Sequence, residues 1–499
     1  MSEDLSATPA LSATSVSRAS HLTTGDREPA QPNTLRGKIG TIELVLMVLA
    51  FSAPIVVVAS FVPFVIIYDG AGAPAAYVVA AVLLLLFAVG YTTMSHHIPN
   101  AGAFYAYITA GLGRPFGLGA SFLAMLGYIL MAVGTVCFFG LAANAVVMDV
   151  FRGPDIKWQF YAVACLIATG VLGYLRINLS AKVLSVAMVA EVAIVLVFDL
   201  AVTAKGGPQG RSLAPLTWGA FSSGSVGVAV LFAATCFLGF EATAIFREET
   251  KDPQRTVPRA TYLAVTLIGL FYIVSTWALV TAYGASKAQN EANNNYVGMF
   301  SGAARSFVGM WARDVVQVLV VTSAFACLLS VQNILARYTY SLGVDKVLPS
   351  TLGRVNQKHG SPSIASVTVS VVLIGLLLAN AGGNPEEVYG KLAGSGGFAI
   401  LVLMFLTGAS VIFFFRKNPT ARASIWHRLI APTLSVLGMG AVIYLAITHF
   451  KLLTGGSTAS AAVLQAILWG TFVLGVVVAL IYKAKRPDVF ERIGRQQVG

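Results

Sequence analysis

Two short stretches carry residue types that hydrocarbon does not tolerate without a purpose. Ser52-Ala53-Pro54 interrupts an apolar run that continues through Ile55 and three valines. Because proline has no amide hydrogen to donate, the turn before Pro54 must kink or open. Phe237-Leu238-Gly239-Phe240-Glu241 sets a glycine and an acid inside a second apolar run, and an acid at that depth is costly unless it is paired or functional. Where a helix opens inside a bilayer, its freed backbone groups must face a cavity. Amides released at a half-helix start carry partial positive charge and suit a carboxylate or a similar anionic group. The chemistry to expect is the binding of a small molecule or ion near a membrane midplane. The two breaks fall at matching places, each opening a block of five apolar segments, which is the pattern of an inverted-repeat transporter. For Pro54 alone, a plain kink is the alternative.

No other constellation competes. Cys137, Cys165, Cys236 and Cys327 lie in apolar spans without metal-ligand spacing, and serve as small hydrophobes in helix packing. His96 and His97 stand at a loop border and need no special role. There is no phosphate-binding glycine loop, catalytic triad or zinc spacing, so no cofactor, metal or enzymatic cluster is expected.

These residues need helices to carry them. Of 499 residues, 57% are hydrophobic and 11% charged, against roughly 25% charged in soluble domains, which excludes a soluble enzyme. Runs long enough to cross a core about 30 Å thick occur at approximately 41 to 68, 74 to 93, 115 to 148, 158 to 175, 180 to 204, 221 to 246, 257 to 283, 314 to 342, 364 to 380, 394 to 415, 429 to 450 and 462 to 483. With twelve spans and an internal N-terminus, 24 of the 33 Lys and Arg fall inside and 9 outside. The positive-inside rule then puts both termini in the cytoplasm. It also accounts for the net charge of +12 without nucleic acid. Residues 1–35 read as a disordered cytoplasmic tail, 36–205 and 206–420 as two five-helix repeats, 421–485 as helices eleven and twelve, and 486–499 as a cytoplasmic C-terminal tail.

Three stretches carry a family resemblance. The first is Pro99-Asn100-Ala101-Gly102-Ala103-Phe104-Tyr105-Ala106-Tyr107 with Leu112-Gly113. The second runs from Phe237 to Glu241 into Glu248-Glu249 and then Lys251-Asp252-Pro253-Gln254-Arg255-Thr256-Val257-Pro258-Arg259-Ala260. The third is Arg337 to Asp345, with Leu348-Pro349 and Pro362. They resemble the amino acid, polyamine and organocation (APC) transporter superfamily, in particular its bacterial amino acid permease branch, over about residues 36 to 485. The resemblance implies an all-α polytopic membrane protein with a leucine-transporter-type 5+5 inverted repeat, twelve transmembrane helices, and broken first and sixth helices. Spans one, two, six and seven would rock against three, four, eight and nine, with substrate between spans one and six.

Carried over residue by residue, the resemblance implies a substrate site of Ser52, Ala53, Pro54 and Ile55 with Phe237, Leu238, Gly239, Phe240 and Glu241; Asn333 in span eight is a further candidate. Phe237 or Phe240 acts as an aromatic gate or simply packs, and Thr235 is small where some relatives place an aromatic, as in a roomier pocket. Span one departs from the family, which usually shows a Gly-rich run there. Relatives often carry a buried lysine in span five about eleven residues after a Ser-Ala-Arg-like start; counting from Ser180-Ala181-Lys182 puts Glu191 at that place. Glu191 is read as a proton carrier, as a fixed anion for a cation or amine, or as an acid satisfied by a neighbouring serine or backbone group. Asp199 reads as interfacial. Glu241 either couples protonation to closure of span six or recognises a substrate amine. The charges from Arg247 to Arg259 form an inner gate or a solvated loop.

The expected function is a permease importing an amino acid across the cell (cytoplasmic) membrane by alternating access, as a proton symporter. The alternatives are import or exchange of a polyamine or other organic amine, and a nutrient sensor that binds without transport. Sodium coupling stays open, because its ligands would be carbonyls and hydroxyls that no motif announces. The partners are substrate, proton and lipid bilayer, in a monomer or homodimer.

Overall fold

A computed structural model describes residues 39–98, 103–175, 181–241, 243, 250–356, 360–421, 423–454 and 457–494. The N-terminal tail, the Pro99 to Gly102 motif start and Arg247 to Glu249 lie outside the described residues. Among the described residues the regular structure is helical, with isolated bridges such as Ile39 to Thr250.

Span one is built from three pieces: α1 (Thr41–Ser52), α2 (Pro54–Val56) and, after a π-helical turn at Val57–Phe61, α3 (Val62–Asp69). There follow α4 (Ala73–His97), α5 (Ala103–Leu112), α6 (Arg114–Asp149), α7 (Trp158–Tyr174) and α8 (Ala181–Lys205). Next come α9 (Val226–Thr235), α10 (Pro253–Tyr283), α11 (Met299–Phe307), α12 (Met310–Val344), α13 (Ser363–Ala379) and α14 (Pro385–Lys417). Finally come α15 (Ala431–Thr448), α16 (Thr458–Lys485) and the short α17 (Pro487–Arg492).

Prolines start several of these helices, where a missing amide costs nothing. Pro115 does so for α6 after Gly113 at φ 100, and Pro385 for α14, where the Asn384 side chain accepts from Glu386 N–H. Among the described residues, eight helical stretches are long and apolar enough to cross a membrane by length and composition, one of them the 57-residue run Thr41–His97. Shorter apolar helices occur at Trp158–Tyr174, Val226–Thr235 and Ser363–Ala379. Leu437, Val186, Leu200 and Val371 expose apolar side chains outward, as a lipid-facing surface requires. The chain is a multi-pass membrane protein.

Lipid is as apolar as leucine, so helices associate in a bilayer through close packing over small residues. α6 is the central post. A methyl group on Gly396 of α14 would stand 2.7 Å from the Gly127 carbonyl of α6, and one on Gly475 of α16 would stand 2.7 Å from Gly119 Cα. No side chain fits at either contact.

The expected C-terminal tail is not free over its first residues. Val489 and Ile493 are buried with Tyr105, Leu118, Leu342 and Val347, and Gly494 N–H donates to Tyr105 Oη at 2.7 Å. The Arg114 guanidinium lies over Phe490, 5.4 Å from the ring centre. Just past α12, burial pushes the Asp345 carboxyl up to about 6, with Arg492 pulling the other way.

Candidate functional site

At the first break, Ala53 adopts a left-handed conformation (φ 48, ψ 64) between α1 and α2. Pro54 then restarts the helix, and its ring leaves Ile55 as the first amide of α2. That N–H donates to Glu191 Oε2 of α8 at 3.4 Å, and the Ser323 hydroxyl of α12 adjoins the same carboxyl. A carboxylate from the chain itself thus lies at the half-helix start.

At the second break, α9 stops at Thr235 and residues 236–241 run as turns, with Gly239 at φ 113. Only glycine enters that region freely. Gly239 N–H donates to Glu241 Oε2 at 2.8 Å, so the acid folds back over the amide two residues before it. Tyr128 Oη of α6 donates to Glu241 Oε1 at 3.4 Å, and Tyr91 Oη of α4 donates to the Glu241 carbonyl at 3.0 Å. Glu241 and Glu191 are each 4% exposed.

The other sequence candidates are distributed around these two acids. Ser52 turns back to donate to Leu49 O at 2.9 Å. Phe237 and Phe240 are fully buried: Phe237 stands edge-on to Tyr272 of α10, and Phe240 edge-on to Phe87 and Tyr91 of α4. Leu238 packs partly buried against the core. Thr235 donates to Leu231 O and fills the space beside Gly397 of α14, so its small size is matched by a helix contact rather than by an open pocket. Asn333 lies on α12 toward α7, where a methyl group on Gly173 would stand 3.5 Å from its Oδ1.

Asp199, read as interfacial, is only 3% exposed and accepts from Ser275 Oγ of α10 at 2.8 Å. In the loop cluster, the described ion pair is Arg255 to Asp252 at 3.8 Å, well exposed and therefore a weak clamp. Closer joining at this end comes from backbone, where Lys251 N–H donates to Ile39 O at 3.1 Å.

Sequence reasoning missed an aromatic layer on the far side of the breaks. The π-turn frees the Ser60 carbonyl, which accepts from Tyr296 Oη at 2.6 Å, while Tyr389 Oη donates to Ser60 Oγ at 2.8 Å. Phe61, Phe64, Phe138 and Phe232 pack against these two tyrosines or one another. A helix that reads as uniformly apolar gives no signal for a π-turn. Beyond the layer lies a cavity of about 320 Å³ lined by Ala59, Phe138, Asp149, Ser301, Arg313 and Gln317, among others. Tyrosines at 91 and 128, which fix Glu241, likewise fell inside apolar runs without a motif.

A family model described as amino acid permease matches residues 40–479. The chain is 24% identical over 368 residues to the branched-chain amino acid permease BcaP of Bacillus subtilis, covering 70% of this chain and 75% of that one. It is 25% identical to the low-affinity putrescine importer PlaP of Escherichia coli K12, over 69% of this chain and 76% of the relative. The cadaverine/lysine antiporter of the same organism is 26% identical over 52% of this chain and 53% of its own.

Proposed function

We propose that this chain, which belongs to the amino acid permease family, is a proton-coupled importer of amino acids that works by alternating access in the cell membrane. Twelve crossings in two inverted five-helix repeats, with both termini cytoplasmic, are the arrangement this reading uses. One observation carries it: an amide of each helix break is taken by a carboxyl of the chain, Ile55 N–H by Glu191 and Gly239 N–H by Glu241. A substrate carboxylate seeking those amides competes with the resident acids, because one N–H cannot fully serve two anions. Protonation removes the competitor's charge. Substrate and proton then enter together, and the break closes when both have arrived. On release, the acids reclaim their amides.

A second reading has its own support. The same two buried acids suit the ammonium groups of a polyamine or amine, and the names of two relatives refer to putrescine and cadaverine. Uptake of radiolabelled leucine, lysine and putrescine into proteoliposomes, with and without an inward proton gradient, separates the two. Under the first reading leucine accumulates with the gradient, and Glu241→Gln or Glu191→Gln abolishes its pH dependence with at least a tenfold loss of driven uptake. Uptake confined to amines, weakened by both substitutions, establishes the second. Accumulation that follows a sodium gradient instead overturns proton coupling.

A further inference from the structure

Eight residues after Glu191 on α8 stands a second buried acid that the coupling scheme above does not use. At 1.5 Å of rise per residue the two lie about 12 Å apart along the helix. Asp199 Oδ2 accepts from Ser275 Oγ at 2.8 Å, while Oδ1 has no partner among the described residues. A carboxylate so enclosed needs a counter-charge or a proton.

Among the described residues, none pairs with Asp199 as a counter-ion. On its own helix, Lys205 lies near the end and donates to Phe307 O. From α11 come Phe300 and Phe307, packed on Phe198, with Arg305 exposed. On α12, Arg313 is paired with Asp314 at 2.7 Å, and Cys327 lies deeper in the span. Glu43 of α1 is exposed near the opposite end, and α2 has no titratable side chain. α10 offers hydroxyls instead. Ser275 and Thr276 are fully buried, Thr276 Oγ1 also lacks a partner, and Tyr272 lies one turn nearer the first break, where its hydroxyl faces Ser52.

We propose that Asp199 is a proton-relay site that serves Glu191 from the side on which α8 ends, external in the orientation used above. A hydronium ion on that side gives a proton to the Asp199 carboxylate, forming the carboxylic acid and leaving water. The acid then passes a proton toward Glu191 through the α10 hydroxyls and intervening water, each group accepting one proton and donating another. Asp199 returns to carboxylate and Glu191 becomes the acid, so one proton has moved and nothing is oxidised. This inference rests on Glu191 being the coupling carboxyl.

The test combines infrared spectroscopy and transport on the purified, reconstituted full chain. Without added substrate, an external pH jump changes the protonated-carboxyl bands. Asp199→Asn removes one band and slows the response of the band assigned by Glu191→Gln at least tenfold. Leucine and putrescine uptake driven by a proton gradient falls at least tenfold in Asp199→Asn, while exchange at equal pH stays within twofold and Asp199→Glu restores driven uptake. An unchanged Glu191 response in Asp199→Asn overturns the relay, as does equal loss of exchange and driven uptake, which marks a purely structural role. If Glu191→Gln itself leaves every carboxyl band and the pH dependence of uptake intact, the coupling reading fails first and separately.

Discussion

Ala53 occupies a region of backbone space that costs a non-glycine residue about 1–2 kcal/mol, and the structure holds it there at φ 48. Replacing it with glycine relieves that strain but adds roughly 0.5–1 kcal/mol of chain entropy to be lost on folding. We therefore expect Ala53→Gly to stabilise the detergent-solubilised protein by up to about 1 kcal/mol, seen as a small rise in thermal unfolding midpoint. A lower midpoint would mean that the methyl group contributes packing the conformation does not reveal. The position of this break was legible because Pro54 removes a donor that nothing nearby can replace. Glu241 was legible because an acid cannot lie idle in an apolar run. The burial of Asp199 was not legible for an equally physical reason: it comes from α10 and α11, and nothing in the periodicity of α8 states what will be packed against its C-terminal half.

Helices meet here through glycine faces whose partners lie far away in the chain. The α6–α16 contact at Gly119 and Gly475 has backbone against backbone, so Gly475→Leu must push the two helices apart. Overpacking of this kind costs typically 1–3 kcal/mol, and the expected result is a lower thermal midpoint with the uptake rate per folded molecule little changed. Unaltered melting would show that α16 is not held to the post by this contact. The helices themselves were readable from the length of apolar runs, and eight described stretches are long and apolar enough to cross a membrane. Their neighbours were not, since a glycine inside an apolar stretch reads the same whether it faces lipid or another backbone. The π-turn at Val57–Phe61 was hidden for a related reason: its residues are all ordinary helix-compatible apolar types apart from Ser60.

At the scale of the molecule, α17 ties the end of α16 to α5, α6 and the segment after α12. Asp345 lies in this junction, its carboxyl pushed up from 3.8 to about 6 by burial despite the pull of Arg492. An acid that holds its proton more tightly in the docked state favours docking most below its ordinary value and loses that contribution as pH rises through about 6. Amide hydrogen exchange over 487–493, corrected for its intrinsic pH dependence, should be several-fold more protected at pH 5 than at pH 7.5, and Asp345→Asn should flatten the difference. Equal protection of the unaltered chain at both values would contradict this. The docking itself has a consequence for biosynthesis. About 370 residues separate Leu118 from Val489, and at roughly 5–20 residues per second a ribosome needs some 20 to 70 seconds to cross that distance. For that interval the newborn face around Tyr105 and Leu118 lacks its cover, so a chaperone or an insertion factor has a defined window in which to hold it.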